Sequence, residues 1–413
     1  MPSVARVPVQ LNPHYKRNGL KSYVYLLNKY KFVPTLRGPY SATRGQALFK
    51  QSADGTQAQV LPAAKHPSSP ATDQQNDSLY TCPVKIGTPA QTLNLDFDSG
   101  SSDLWCWSTE LPRTTLSAGK GHTIFDPSKS STFKNQPQST WQIQYGDQSS
   151  ASGTVGTDNI QIGNITVKGQ AIELANKLSS QFTEDASSDG LLGLAFGSIN
   201  TVKPTPVKTP VENMIAQDDI PQNAEVFTCY LGSIKDPNEE SFYTFGEIDQ
   251  SVVPSGSQIA YTPVDNSQGF WMFDSTSAKV NGKTIQLSGN KAIADTGTTL
   301  LLTSDEVCEA VYSAIPGAKQ DSSQQGWVFP ANTAEADLPT VTFMVGNTPI
   351  TIEKKHLAFA GGLEGNMAYG GIQSRGDLTF DILGDTFLQN VYAVFDVGNT
   401  QFGVVQRAPP STS

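Results

Sequence analysis

Residue types that build metal and redox centres are scarce in this chain: its 413 residues include four cysteines and four histidines. Cys82, Cys106, Cys229 and Cys308 show no CxxC spacing, and His14, His66, His122 and His356 are equally scattered, so no zinc motif can be drawn and neither metal nor cofactor is expected. No Gly-x-Ser-x-Gly turn occurs, which leaves a serine hydrolase without support. Long apolar runs are missing too. The best, Tyr23-Val24-Tyr25-Leu26-Leu27, is far too short to span a bilayer, and residues 1–10 lack the continuous apolar region of a secretory signal. No membrane partner is expected, and either the protein stays in the cell or its signal is missing from this sequence.

Cations are few where nucleic acid would need them. Residues 1–70 hold ten Lys/Arg against Asp54 alone, whereas residues 71–413 hold 18 Lys/Arg against 37 Asp/Glu. A body with such an acidic balance has no cations to spare for phosphates, so nucleic acid is not an expected partner. The small basic segment and the large acidic body should attract each other across a shared surface. The 37% hydrophobic and 16% charged content predicts a folded protein, and the length exceeds what one core supports, so two lobes are expected.

In the basic segment Leu20, Tyr23, Val24 and Leu27 fall at i, i+3, i+4 and i+7, which predicts an amphipathic surface helix with Lys21 and Lys29 away from its apolar stripe. Residues 51–77 are rich in Ser, Ala, Gln, Pro and Thr with hardly any periodicity, predicting an exposed linker that proteases can reach. Beyond Leu79 come short runs of period-two alternation, such as Leu93-Asn94-Leu95-Asp96-Phe97 and Trp141-Gln142-Ile143-Gln144-Tyr145, separated by Gly, Pro and Ser. These predict an all-β, mainly antiparallel protein. Helical pattern is limited to about residues 211–216 and 304–314, the latter with Ser304 as candidate cap. Asn76-Asp77-Ser78 and Asn164-Ile165-Thr166 fit the glycosylation pattern, which matters only on the secretory route.

A long-range repeat carries the chemistry. Leu95-Asp96-Phe97-Asp98-Ser99-Gly100-Ser101-Ser102 is echoed by Ala292-Ile293-Ala294-Asp295-Thr296-Gly297-Thr298-Thr299. Downstream, Gly190-Leu191-Leu192-Gly193 is echoed by Asp381-Ile382-Leu383-Gly384, and the intervals from each Asp to its Gly agree closely. In each copy an apolar strand delivers an Asp to a turn where glycine lets the backbone come close. Two such turns facing each other place two carboxylates side by side, where like-charge repulsion makes them share one proton. One is then a base and the other an acid, able to activate a water and protonate a leaving group. A single Asp-Ser/Thr-Gly is ordinary turn chemistry, with roughly 0.2 copies expected by chance at this length. Two copies in matched contexts are not explained by turns alone.

Over residues 71–407 the chain resembles the pepsin-type aspartic proteases, most of all the fungal aspergillopepsin and penicillopepsin group. The resemblance implies a bilobal fold, each lobe β-rich, with a central cleft: residues 1–70 as prosegment and linker, 71–249 as N-terminal lobe and 250–413 as C-terminal lobe. It implies Asp98 and Asp295 as the catalytic pair, Ser101 and Thr298 as the hydroxyls that orient them, and Gly100 and Gly297 beside the substrate. Tyr145-Gly146-Asp147 matches the tip of a flap that closes over substrate, Trp105 matches the indole bracing the flap tyrosine, and Gly193 and Gly384 match the segments packed behind the catalytic loops. Asp147 would let the enzyme take Lys as well as large apolar side chains at the cleavage site. Gln148 stands where such flaps often have Gly, which would reshape the tip.

The cysteines depart from the group, whose bridge positions correspond to Ala331 and Ala368 here. Three pairings of the four thiols remain open, Cys82 with Cys106 among them, beside buried free thiols. In related precursors a lysine caps both catalytic carboxylates, a role open to Lys29-Tyr30. Cations paired with the two carboxylates should depress both, so acid would release the clamp and the chain would cut itself within or near residues 51–77. The expected protein is thus a monomeric acid endopeptidase made as a precursor, exported or held in an acidic vacuole, acting on proteins and peptides and restrained by its own prosegment. The rivals are a silent peptide-binding homologue and a glycosidase with paired acids.

Overall fold

The computed structural model describes residues 4–11, 15–36, 80–144, 150–179, 188–233, 235 and 240–408. Strands dominate, as the alternating runs require, and they form five sheets in which antiparallel pairing is the rule.

The two Asp motifs lie in sheets with the same wiring. In the eight-stranded sheet, Gln91–Asp98 runs parallel to Gly190–Gly193, which is antiparallel to Leu104–Trp107, itself parallel to Ile165–Leu178. In the five-stranded sheet, Lys291–Ala294 runs parallel to Phe380–Leu383, which is antiparallel to Leu301–Thr303, itself parallel to Ile372–Ser374. Parallel strands buried on both faces read as apolar runs, as Gly190–Gly193 and Lys291–Ala294 do, whereas Gln91–Asp98 keeps a polar alternation up to Asn94 before it is buried throughout. A six-stranded antiparallel sheet unites Phe242–Phe245 and Val226–Tyr230 with Val391–Asp396, Gln401–Gln406 and Ala260–Pro263. It takes strands from both sides of residue 250 and so ties the halves together.

The N-terminal segment adds an edge strand to each system: Val7–Pro8 pairs with Phe242–Phe245, and Gln10–Leu11 pairs with Tyr80–Ile86. Arg6 secures the first by ion pairs to Glu240 and Asp249 and by lying 4.2 Å over the Phe242 ring. The predicted helix is present as Gly19–Tyr30, capped by the Asn18 side chain accepting from the Lys21 N–H. It is not a surface helix: Ser22 through Asn28 are all buried, and Tyr23 to Leu27 pack with Met272, Ile293, Phe359 and Tyr369 of the body. Its periodicity marked only one of the faces that end up covered. The two other expected helices are present, Pro210–Ala216 closed by a Thr209/Glu212 capping box and Asp305–Ser313 capped by Ser304, and two short helices that the periodicity did not mark, Arg113–Ala118 and Asp385–Leu388, accompany them.

The cysteine pairing considered above does not occur. All four thiols are free and buried. Cys82 and Cys106 lie on strands separated by two others in the eight-stranded order, about 14 Å of inter-strand spacing, against the ~7 Å that a disulfide tolerates between α-carbons. Burial raises all four thiols above their ordinary value, so they act as small apolar side chains.

Candidate active site

Strand Gln91–Asp98 ends on Asp98, and Lys291–Ala294 ends one residue before Asp295, so each carboxylate stands where a buried strand turns. Both are almost fully inaccessible, at 1% and 0% exposure. Each is held by its own loop in the same way. Asp98 Oδ1 accepts from the Gly100 N–H at 2.8 Å and Oδ2 from the Ser101 hydroxyl at 2.7 Å. Asp295 Oδ1 accepts from the Gly297 N–H at 3.0 Å and Oδ2 from the Thr298 hydroxyl. Such donors favour the ionised form and fix its orientation.

The loops interlock. Ser99 Oγ donates to the Ala294 carbonyl at 2.9 Å and accepts from the Thr296 N–H at 2.9 Å. Thr296 Oγ1 donates to the Phe97 carbonyl at 2.6 Å and accepts from the Ser99 N–H at 3.0 Å. Sequence reasoning missed this crossed set of four bonds, although a hydroxyl one residue after the Asp in both copies was its signal. The glycines are explained by the same approach of loops. A β-carbon on Gly100 would fall 2.5 Å from Asp295 Oδ1, and one on Gly297 would fall 2.4 Å from Asp98 Oδ1. Behind them, a β-carbon on Gly193 would strike Ser102 and one on Gly384 would strike the Thr298 carbonyl.

The two carboxylates converge on one atom. Lys29 Nζ donates to Asp98 Oδ1 at 2.8 Å and to both Asp295 oxygens, at 3.1 and 2.9 Å. The adjacent Tyr30 hydroxyl donates to Asp295 Oδ2 at 2.6 Å, and its ring packs against Phe270 and Phe380. Far from facing away as a surface residue, Lys29 keeps only 8% of its side chain exposed.

The expectation that both carboxyls are depressed holds for only one. Burial pushes Asp295 up, but the Lys29 ammonium and hydrogen bonding with Asp98, Thr298 and Tyr30 outweigh it and bring it down to about 2. Burial raises Asp98; Lys29 opposes this and the Asp295 charge reinforces it, leaving Asp98 at about 6. One ammonium cannot favour ionisation of two adjacent buried acids equally, because the second charge must be placed beside the first. The ammonium itself is raised well above its ordinary value by the two aspartates against its own burial.

A cavity of about 660 Å³ opens beside Asp98, bordered by Ser101, Ile143, Ile199, Thr201 and Phe270. Trp105 is buried and stacks on Trp141 with ring centres 5.9 Å apart, supporting the strand that leads to residue 145. Tyr145, Gly146, Asp147 and Gln148 lie outside the described residues, as do Asn76 and residues 51–77. Asn164 is exposed in the two-residue turn between the paired Ile162 and Ile165. Among the described residues no group of His, Cys, Asp and Glu is arranged to hold a metal, and no helix is long and apolar enough to cross a membrane.

Comparison with known proteins agrees with this geometry. The family model for eukaryotic aspartyl proteases matches residues 79–407. Endothiapepsin of Cryphonectria parasitica is 43% identical over 94% of this chain and 87% of its own length, a match that extends into the N-terminal segment. Aspergillopepsin-1 of Aspergillus oryzae is 42% identical over 84% of this chain and 81% of its own length, and penicillopepsin-1 of Penicillium rubens is 43% identical over 85% and 84%. With a duplicated Asp loop, interlocked hydroxyls and relatives matched over most of both chains, this protein belongs to the eukaryotic aspartyl protease family and is an aspartic-type endopeptidase of the pepsin-like bilobal fold.

Proposed function

We propose that Asp98 and Asp295 activate one water between them to hydrolyse peptide bonds at acid pH, and that the chain is a precursor whose N-terminal segment blocks that site. One observation carries this reading: a single Lys29 nitrogen lies within hydrogen-bonding distance of both carboxylates. That nitrogen stands where the reacting water would sit. With the segment withdrawn, the pair shares one proton, as in aspartic proteases generally; the ionised member takes a proton from the attacking water while the protonated member stabilises the oxyanion and then protonates the leaving amine. Ser101 and Thr298 hold the carboxylates in line, and the Tyr145–Asp147 tip closes over the peptide. The aromatic wall of Phe270 and Phe380, now covered by Tyr30, suits a large apolar substrate side chain. Lys acceptance through Asp147, glycosylation at Asn76 and Asn164, and export as a monomer, with an acidic vacuole as the alternative destination, complete the reading.

Incubating acid-treated protein with a denatured protein substrate at about pH 3–4, with and without pepstatin, tests it. The expected result is hydrolysis abolished by the inhibitor and reduced by at least about a thousandfold in Asp98→Asn or Asp295→Asn. Peptide binding without hydrolysis would favour the silent homologue, and activity surviving either substitution would overturn the paired-acid mechanism.

A further inference from the structure

Three cations border the cavity beside Asp98: Lys29, Lys31 and Lys203. The first two belong to the N-terminal segment and leave with it under the reading above. Lys203 belongs to the body and remains. Its backbone is locked in a two-way bridge, the Thr140 N–H donating to its carbonyl at 3.0 Å and its own N–H donating to the Thr140 carbonyl at 2.8 Å. Thr140 lies in Lys134–Gln144, the strand that continues toward the proposed flap. The lysine thus springs from a fixed point alongside that strand, and it is exposed.

The acids nearest along the wall are engaged elsewhere. Asp103 accepts from the Asn200 amide and from both the N–H and hydroxyl of Thr201, with buried Glu173 on the same amide. Asp98 and Asp295 face each other. Lys203 takes part in no ion pair among the described residues, so its charge is left to whatever lies in the groove. A peptide must fill that groove to present its scissile bond to the aspartates.

We infer that Lys203 determines specificity, favouring Asp or Glu at the substrate position that lies along the wall formed by Ser101 and Thr201. The inference rests on the paired-acid reading of the same site. The lysine is exposed, so the preference is modest, salt-sensitive and about threefold, within the range of surface ion pairs. It also has a pH signature: a free glutamate protonates near about 4.3, so the preference exists above that value and fades below it.

The test uses full-length protein after acid activation and peptide pairs differing only by Glu or Gln at each of several positions on either side of the cut. Wild type should show one position where Glu exceeds Gln by about threefold in kcat/KM at pH 5.5, the ratio approaching one at pH 3. Lys203→Gln should erase the ratio and Lys203→Glu should invert it, results that a packing role for the lysine would not produce. Cleavage by wild type with no charge preference, or a preference unchanged in Lys203→Gln, overturns the assignment. Absence of cleavage of every peptide would instead overturn the protease mechanism beneath it, and the inference with it.

Discussion

At the residue scale, Ser99 and Thr296 lock the two Asp loops together: each hydroxyl both donates to and accepts from the opposite loop. Replacing Thr296 with Val keeps the shape but strands the buried Ser99 N–H and leaves the Phe97 carbonyl only the longer bond, 3.5 Å, donated by the Tyr243 hydroxyl; an unsatisfied buried group costs about 1–3 kcal/mol. Thr296→Val should therefore lose about 2–4 kcal/mol in urea unfolding of the Asp295→Asn background, which prevents self-digestion. Ser99→Ala should cost a similar amount, and the double variant less than the sum, because both substitutions break one network. An additive result would show that the bonds act independently. That Asp98 and Asp295 come together was legible from the duplicated motif. This crossing was not, because a turn hydroxyl has many local partners and only the meeting of the loops selects one 197 residues away.

At the scale of elements, the proposed clamp makes the helix Gly19–Tyr30 the place where pH would enter. Asp295 has an ordinary value of 3.8 and is brought to about 2, so its stabilisation of the clamped form is fully present above the ordinary value and is lost as pH falls from about 4 through 2. Asp98 acts with the opposite sign. Raised to about 6, its ionisation opposes the clamped form, and protonation on mild acidification relieves that cost instead of loosening the clamp. Release should therefore await strong acid. Lys29→Met removes the ammonium that holds Asp295 down, and the segment should be shed at a midpoint at least about one pH unit higher than in wild type, as followed by gel over pH 2–6. An unchanged midpoint would place the pH response in other contacts, such as the Arg6 pairs with Glu240 and Asp249. Helical spacing located this element but misjudged its setting. Periodicity reports the stripe that a helix must bury; it is silent about a helix laid into a cleft, where the polar side is covered too.

At the scale of the whole molecule, cohesion comes from sheets shared across the halves and not from covalent links. The six-stranded sheet joins strands on both sides of residue 250, and the N-terminal segment contributes an edge strand to it and another to the eight-stranded sheet. With all four thiols free and buried, a reducing agent should leave the melting temperature unchanged to within about 1 °C, while a thiol reagent should find the cysteines only after unfolding and then find all four. A fall in melting temperature on reduction, or fewer than four reactive thiols in denaturant, would reinstate a disulfide. Composition, the period-two strands and the twice-repeated Asp-hydroxyl-Gly turn were enough to determine a two-lobed β protein with a pair of acids, because strand alternation and tight turns are local properties written in neighbouring residues. Tertiary structure alone decided that Lys29 reaches both acids, that Cys82 and Cys106 lie too far apart to bond, and that Lys203 faces the groove. Those facts depend on which distant strands become neighbours, and spacing along a chain carries no measure of distance across a sheet.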